Sequence, residues 1–259
     1  MRRREFITLL VGATAWPVAA RAQRGERMRR IGVLMPYAAN DPQAQARLAA
    51  FMQGLRQLGW TDSRDVRIEY RWSSDANEIR KYAAELAALA PDVIFVSGSS
   101  GGTPMLEATR TVPIVFVVLP DPVGAGYVAS LARPGGNATG FTPWEFSIGA
   151  KWLELLKQIA PGVTRAAIIR DPRITAGIGL WGAIQSVAPS FGVELIPMGL
   201  RDAGEIEHDV AAFARSPNGG LILTGSGLAV THRDLIIALA ARHKCLRSTT
   251  NDTSSAPAV

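Results

Sequence analysis

The sequence predicts an α/β fold of two doubly wound lobes, each built on a parallel sheet. Short apolar runs alternate with helical patterns along most of the 259 residues, and strands separated by helices imply right-handed βαβ units. Hydrophobic residues make up 47% of the chain, enough for a sizeable core. A strong turn cluster at 133–137 interrupts the alternation. We place the boundary between an N-terminal lobe, 28–143, and a second lobe, 144–244, just after it.

The first strand and helix are set by local signals. Residues 31–35 are a continuous apolar run, as expected of a parallel strand buried on both faces. Asp41 can cap a helix that has Pro42 at its first position, and apolar residues recur at helical spacing until Gly59 ends it.

The rest of the first lobe repeats this unit. Residues 66–72 alternate as a strand, and Asp75 with Glu78 forms a capping box for the next helix. The remaining predicted elements are strand 93–96, helix 103–109, strand 114–119, helix 123–131 and strand 138–142.

The second lobe shows the same alternation. Asp202 and Glu205 form another capping box, which predicts the start of a helix. The predicted elements are helix 145–159, strand 166–170, helix 176–189, strand 193–198, helix 205–214, strand 221–224 and helix 231–242.

The N-terminus has the pattern of an export signal. The arginines at 2–4 form a charged region, residues 6–18 are mostly apolar, and Ala20 and Ala22 are small residues suited to cleavage. We expect a signal peptide, 1–22, and a periplasmic location, reached by general secretion or by the twin-arginine route. Because these residues contribute half of the formal charge of +6, we expect no nucleic-acid partner.

Composition also argues against a metal, a cofactor or a catalytic centre. The chain has one cysteine, Cys245, and its three histidines show no metal-ligand spacing. The letters of a dinucleotide fingerprint occur at 177–182, but six residues separate them from the preceding strand, and the fingerprint requires the turn directly after one. No histidine lies at a strand end of the first lobe, where a Ser-His-Asp hydrolase would need one. We expect no metal, no cofactor and no enzyme activity.

Polar residues follow the predicted strands, where doubly wound sheets bind ligands. We expect a small-molecule solute to contact Tyr37, Asn40, Ser97, Ser99, Ser100, Thr103, Asp121, Thr142, Asp171 and Ser226.

The chemistry of two of these segments suits an amphipathic amino acid. The segment 97–104 places hydroxyls and free amides before a predicted helix start at Pro104, an arrangement that suits a carboxylate. Asp121, held between two prolines, either pairs with a ligand ammonium or caps the helix that follows it.

Several segments resemble one family, the ABC transporter substrate-binding proteins of the tryptophan/tyrosine type. They are Ile31-Gly32-Val33-Leu34, Pro91-Asp92-Val93-Ile94, the run at 111–116, the long block Asp121-Pro122-Val123-Gly124-Ala125-Gly126 through Asn137-Ala138-Thr139-Gly140, and the run at 151–157. The resemblance implies a type I periplasmic-binding-protein fold whose lobes close on a small solute and present it to a membrane permease. It also implies that residues 97–103, Asp121 and Thr142 bind the ligand, with an aromatic amino acid as the preferred solute.

The likeness ends near His243. Family members continue there with another apolar strand and further helices, whereas residues 245–259 show no period and few apolar residues, which predicts disorder. Such an abrupt change inside a βα repeat is typical of a reading-frame shift. We therefore expect an aberrant tail, an incomplete second lobe and a truncated product that is unstable or non-functional; the alternative is a natural short variant with a flexible tail.

Solute binding for import is the function that these observations favour. A periplasmic sensory binding module of the same fold is the alternative, and an exported enzyme is a weaker one. The first two differ in partner, a permease or a receptor, and no residue distinguishes them.

Overall fold

The structure, a computed structural model, describes residues 28–243 and 246–249. These residues form two successive α/β lobes with parallel sheets, which confirms the predicted fold class. No helix in this part of the chain is both long and apolar enough to cross a membrane. The predicted signal peptide, 1–22, and most of the predicted tail lie outside the described residues.

The first lobe is built on a five-stranded parallel sheet. Its strands are β1 (Arg29–Met35), β2 (Val66–Trp72), β3 (Val93–Ser97), β4 (Ile114–Val117) and β5 (Ala138–Phe141). Its helices are α1 (Pro42–Gln57), α2 (Ala76–Ala88) and α3 (Gly98–Ala108). The strand order is β2-β1-β3-β4-β5, so the fully buried side chains of β1 and β3, such as Leu34 and Ile94, lie at the centre of the core.

The second lobe is smaller, with a four-stranded parallel sheet in the order β7-β6-β8-β9. Its helices are α4 (Ile148–Ile159), α5 (Thr175–Val187), α6 (Ala203–Phe213), α7 (Gly227–Thr231) and α8 (Arg233–Arg242). A 3₁₀ turn, Ala188–Phe191, follows α5. The strands are β6 (Arg165–Arg170), β7 (Glu194–Gly199), β8 (Gly219–Leu223) and β9 (Leu246–Thr249).

The predicted N-caps at Asp41, Asp75 and Asp202 are confirmed, but the second half of the Asp75–Glu78 capping box is not formed, because Glu78 Oε2 accepts from Ser73 Oγ and the Asp75 amide donates to that same hydroxyl. The side chains of Asp41, Asp75 and Asp202 each accept a hydrogen bond from a backbone amide two or three residues further on, at 2.8 to 2.9 Å. Each bond satisfies an amide of the first helical turn that has no partner within the helix. These local signals therefore fixed the starts of α1, α2 and α6.

The predicted loop over 97–104 is wrong, because α3 already begins at Gly98 and Pro104 lies inside it. Gly101 and Gly102 explain the difference. A Cβ on Gly101 would lie 2.9 Å from Val96 Cγ2, and one on Gly102 would lie 2.5 Å from Leu119 Cδ1. The small residues let the helix pack tightly against β3 and against Leu119, which follows β4, and this packing outweighs their low helix propensity.

The predicted helix over 123–131 is also wrong, since the segment forms turns. Gly126, within this segment, has a φ angle of 76°, a left-handed conformation that is incompatible with a right-handed helix. The predicted helix over 231–242 corresponds to α8, which begins at Arg233, and the short helix α7 before it was not predicted.

Residues 246–249 form a strand where composition predicts disorder. Strand β9 lies parallel to β8, with Leu246 opposite Gly220 and Thr249 opposite Leu223. The free edge of β8 offers backbone N–H and C=O groups to any extended segment. Pairing of this kind needs no apolar pattern, which is why the side chains of this segment gave no signal.

Candidate ligand-binding cleft

The two lobes meet at the carboxyl ends of β1 and β3 on one side and of β6 and β8 on the other. The amide of Gly227, at the start of α7, donates a 3.4 Å hydrogen bond to Ser100 Oγ in the first lobe. A Cβ on Gly227 would lie only 2.4 Å from the carbonyl oxygen of Pro36. The lobes are therefore in direct contact at the place where doubly wound sheets bind ligands.

Two further polar contacts join the lobes. Arg233 Nη1 lies 3.3 Å from Asp41 Oδ2, and both side chains are mostly buried. The hydroxyls of Tyr127 and Thr175 share a 2.8 Å hydrogen bond, and Tyr127 also contacts the hydroxyl of Thr103. The structure thus represents a closed arrangement of the cleft.

A cavity of about 40 Å³, called here the small cavity, lies between the lobes. Its polar lining comes from Tyr37, Arg47, Ser99, Trp144 and Ser226. Arg47 is the single charged residue among those that line it. The small cavity therefore has a positive electrostatic character.

Two residues that line the small cavity each carry a buried polar atom with no hydrogen-bond partner among the described residues. The atoms are Ser99 Oγ and Trp144 Nε1, and Ser99 as a whole is only 4% exposed. Buried polar groups in native proteins are normally satisfied, because leaving one unpaired costs about 1–3 kcal/mol. The two atoms mark a place where a bound molecule can complete the hydrogen bonding.

A hydrogen-bond network holds Arg47 at the wall of the small cavity. Its Nη1 donates to Tyr37 Oη at 2.7 Å, and its guanidinium carbon lies 5.3 Å from the centroid of the Tyr37 ring. Tyr37 Oη also lies 3.2 Å from the buried Ser97 Oγ. Ser97 immediately precedes α3 and makes no side-chain capping bond, so the positive end of the helix dipole adds to the charge of Arg47.

A cavity of about 270 Å³, called here the large cavity, shares Pro36, Ser99 and Gly227 with the small one. It is lined by polar residues of both lobes, among them Asp75, Ser100, Thr103, Asp171 and Arg173, and by the apolar side chains of Ile79, Ile174 and Leu228.

One ion pair dominates the charge on the second-lobe side of the large cavity. Asp171, 4% exposed, accepts from the backbone amide and Nε of Arg173 through Oδ1, at 3.0 and 2.9 Å, and from Nη2 through Oδ2 at 3.0 Å. The hydrogen bonds to Asp171 raise the pKa of Arg173, and the negative charges of Asp171 and Asp75 act in the same direction. Asp75 belongs to the first lobe, so this attraction favours closure.

Most of the residues predicted to bind a ligand lie together at this cleft. Ser97 bonds to Tyr37, and the others line one or both cavities: Tyr37, Ser99, Ser100, Thr103, Asp171 and Ser226. Ser226 also caps α7, because its Oγ accepts from the amide of Ala229 at 2.9 Å. Their contact with a solute stays a prediction.

Asn40, Asp121 and Thr142 line neither cavity. Asn40 is exposed in the turn before α1. Thr142 Oγ1 donates to the carbonyl of Trp144 at 3.0 Å. Both side chains follow strand ends, as predicted, but the turns that they enter carry them away from the cavities.

Asp121 caps a turn instead of the helix predicted to follow it, because the segment after it forms turns. Its Oδ1 accepts from the amide of Gly124 at 2.7 Å, and its Oδ2 accepts from the amide of Phe146 at 3.3 Å. The carboxylate thus ties the turn after β4 to the crossing between the lobes, and both of its oxygens already have donors.

Arg47, Trp144 and Arg173 belong to the cleft but were not predicted from the sequence. Arg47 reaches the cleft from α1, and Trp144 comes from the crossing, where its ring packs edge-on to Trp152 at 6.2 Å. Arg47 lies within α1, away from any strand end, and Trp144 lies just after β5, two residues beyond Thr142, which was singled out there instead. Arg173 was detectable, because an arginine two residues after a strand-end aspartate is placed to pair with it.

Comparison with known proteins identifies the family. A family model described as ABC transporter substrate binding protein matches residues 31–245. The chain belongs to this family.

Individual proteins are similar to this chain over a large part of its length. The tyrosine-binding protein of Clostridioides difficile strain R20291 is 24% identical over 164 residues, which cover 63% of this chain and 47% of the relative. The chain thus spans about half the length of this curated relative. A conserved domain protein from Vibrio cholerae superposes with a TM-score of 0.77 at 21% identity, covering 87% of this chain and 75% of its own. The ABC domain from Streptococcus pneumonia in complex with L-Trp gives 0.75 at 19% identity, with the same coverage.

Proposed function

We propose that this chain is the solute-binding component of an ABC import system. In this proposal it is exported to the periplasm, closes its lobes, 28–143 and 144–244, on a small organic solute and delivers that solute to a membrane permease. It acts by binding and release, without chemistry. The observation that carries the proposal is the interlobe cleft, whose wall holds the unsatisfied polar atoms of Ser99 and Trp144.

An amino-acid-like solute, with an aromatic side chain, is the ligand that the comparisons favour. One relative is a tyrosine-binding protein, and one similar structure holds L-Trp. The large cavity, at about 270 Å³, is near the lower end of the range of small-molecule sites, which begins at about 300 Å³. Its mixture of apolar and hydroxyl-bearing side chains suits an amphipathic molecule of that size.

Closure explains how binding is coupled to a change of shape. The contact of Gly227 with Pro36 and the ion pair of Arg233 with Asp41 exist only when the lobes are together. A solute that satisfies Ser99 and Trp144 adds its binding energy to these contacts. The solute therefore shifts the population towards the closed form.

A ligand screen by melting temperature tests the proposal on the full chain. A solute that binds the folded state raises the melting temperature in proportion to the logarithm of its concentration above the dissociation constant. We expect such a rise with L-tyrosine or L-tryptophan among the standard amino acids. A flat response to every amino acid and to small organic acids would contradict solute binding.

Cell fractionation tests the location. Full-length chain should be recovered from the periplasm, and a variant without residues 1–22 should remain in the cytoplasm. Equal distribution of the two forms would contradict export through this segment.

A further inference from the structure

We infer that the cleft selects its solute by a carboxylate and offers no partner to an α-ammonium, so that deaminated acids bind at least as well as the corresponding amino acids. The inference rests on the proposed function and names the substrate class of the same site. It follows from an inventory of donors and acceptors around the two cavities.

The small cavity presents hydrogen-bond donors. Trp144 Nε1 is a donor only, Ser99 Oγ carries a free proton, and the Arg47 guanidinium has donors beyond the one given to Tyr37. Among the residues that line it there is no carboxylate. A negatively charged acceptor is the group that satisfies all three side chains, through charge-assisted hydrogen bonds.

The first turn of α3 supports the same conclusion. The helix has eleven residues, begins at Gly98 and has no side-chain cap from Ser97. Its N-terminal amides and its dipole favour an anion beside Ser99. The buried, unpartnered hydroxyl of Ser99 is an observation independent of the helix end, and it belongs to the same wall.

Size assigns the two ends of the solute to the two cavities. The small cavity, at about 40 Å³, is much smaller than the large one, at about 270 Å³. The smaller space suits the carboxylate end of the solute. The body of the solute then occupies the large cavity, against Ile79, Ile174 and Leu228, with Ser99 at the junction.

The carboxylates near the cleft are already engaged or exposed. Both oxygens of Asp171 are held by Arg173, and Asp75, whose Oδ1 caps α2, is exposed. Glu107 is exposed, where an ion pair contributes little. Asp121, the expected ammonium partner, binds backbone amides instead. An ammonium would lose hydration in the closed cleft without gaining a partner.

A matched series of ligands tests this inference on the full chain by titration calorimetry. The series is L-tryptophan, indole-3-propionate, which lacks the ammonium, and tryptamine, which lacks the carboxylate; L-tyrosine, 3-(4-hydroxyphenyl)propionate and tyramine form a second series. We expect each acid to bind at least as tightly as its amino acid. We expect each amine to bind about 10- to 100-fold more weakly, because it loses charge-assisted hydrogen bonds.

The outcomes separate the inference from the proposed function. If an amino acid binds and its deaminated acid binds about tenfold more weakly or not at all, the inference is wrong and solute binding stands. Tight binding of an amine would likewise show that the inference is wrong, while solute binding would stand. Binding of none of these compounds contradicts both.

Substitution of Arg47 gives a second readout. In Arg47→Met the dissociation constants of the acids should rise about tenfold relative to that of the matching amine, because only the acids lose a charged partner. Arg56→Met is the matched control, because Arg56 is exposed in the last turn of the same helix. It should change the dissociation constants of neither the acids nor the amines. An equal loss for acids and amines would show that Arg47 acts only by packing on Tyr37 and would overturn its role in carboxylate selection. Circular dichroism verifies that each variant is folded.

Discussion

Gly227 of the second lobe packs its backbone against the carbonyl oxygen of Pro36 in the first lobe, at a separation that leaves no room for a Cβ atom. The two residues stand between the small and the large cavity and line both. Closure of the cleft around a solute therefore depends on the absence of a side chain at one position.

Gly227→Ala should weaken solute binding by holding the lobes apart. The new Cβ would lie 2.4 Å from the Pro36 oxygen, a contact that must open before the methyl group fits. We expect a rise of about tenfold or more in the dissociation constant, with a larger radius of gyration in the presence of solute. Small-angle scattering and calorimetry measure the two effects.

Gly182→Ala is the matched control, because nothing lies within 4 Å of a Cβ at that position. Gly182 lies within α5, so the change should raise the free energy of unfolding by about 0.5–1 kcal/mol and leave binding unchanged. Equal binding by the two variants would contradict the role assigned to Gly227.

Ser99→Ala should stabilise the protein and weaken solute binding at the same time. The change removes a buried hydroxyl that has no partner in the described part of the chain, so the free energy of unfolding should rise by about 1 kcal/mol in urea denaturation. The solute loses a donor, and its dissociation constant should rise.

Ser97→Ala provides the contrast. Ser97 Oγ forms a hydrogen bond with Tyr37 Oη. Loss of this bond should lower the free energy of unfolding by about 0.5–1.5 kcal/mol. If both serine variants lost stability, Ser99 would have to be satisfied in the ligand-free protein.

Arg233→Met should weaken solute binding in a salt-dependent manner. Arg233 pairs with Asp41 across the cleft at 3.3 Å, and the pair contributes only to the closed form. We expect a loss of affinity of about two- to fivefold at low salt, smaller at high salt where screening already weakens the pair. Titrations at both salt concentrations measure it. Arg242→Met, at the end of the same helix, should leave the salt dependence of the parent protein intact.

Ionisation of the Tyr70 phenol should lower the free energy of unfolding at high pH. Burial raises the pKa of Tyr70 above its usual value of 10.0, and the charge of Asp62 adds to the shift. The folded state thus favours the neutral phenol. This contribution is fully present below the unfolded pKa and is lost as pH rises through the folded pKa.

Comparison with Tyr70→Phe isolates this effect from other groups that titrate in the same range. The free energy of unfolding of the parent should fall relative to that of the variant as pH rises above about 10. A difference that stayed constant across that range would contradict the shift. Chemical denaturation at a series of pH values provides the measurement.

The sequence predicted those features that depend on neighbours along the chain. The caps at Asp41, Asp75 and Asp202 and the apolar runs of β1 and β6 are local, and they placed nearly every element. The start of α3 was not predicted, because Gly101 and Gly102 disfavour a helix locally. The helix forms because these glycines fit closely against Val96 and Leu119.

The candidate site divides in the same way. Tyr37, Ser97 and Ser99 follow strand ends, so the topology of doubly wound sheets was enough to find them. Arg47 reaches the cleft from a helix, and Trp144 reaches it through the crossing between lobes. Their positions depend on how the lobes come together, and no spacing in the sequence encodes that.

The unsatisfied Ser99 hydroxyl gives the proposed importer a means of distinguishing loaded from unloaded molecules. When the lobes close without a solute, this buried group forfeits its bonds to water and gains nothing. Opening restores hydration, so the unloaded protein is biased towards the open shape. A transporter that engages the closed shape would then meet mainly loaded molecules, and the Ser99 hydroxyl, together with Trp144 Nε1, would report occupancy.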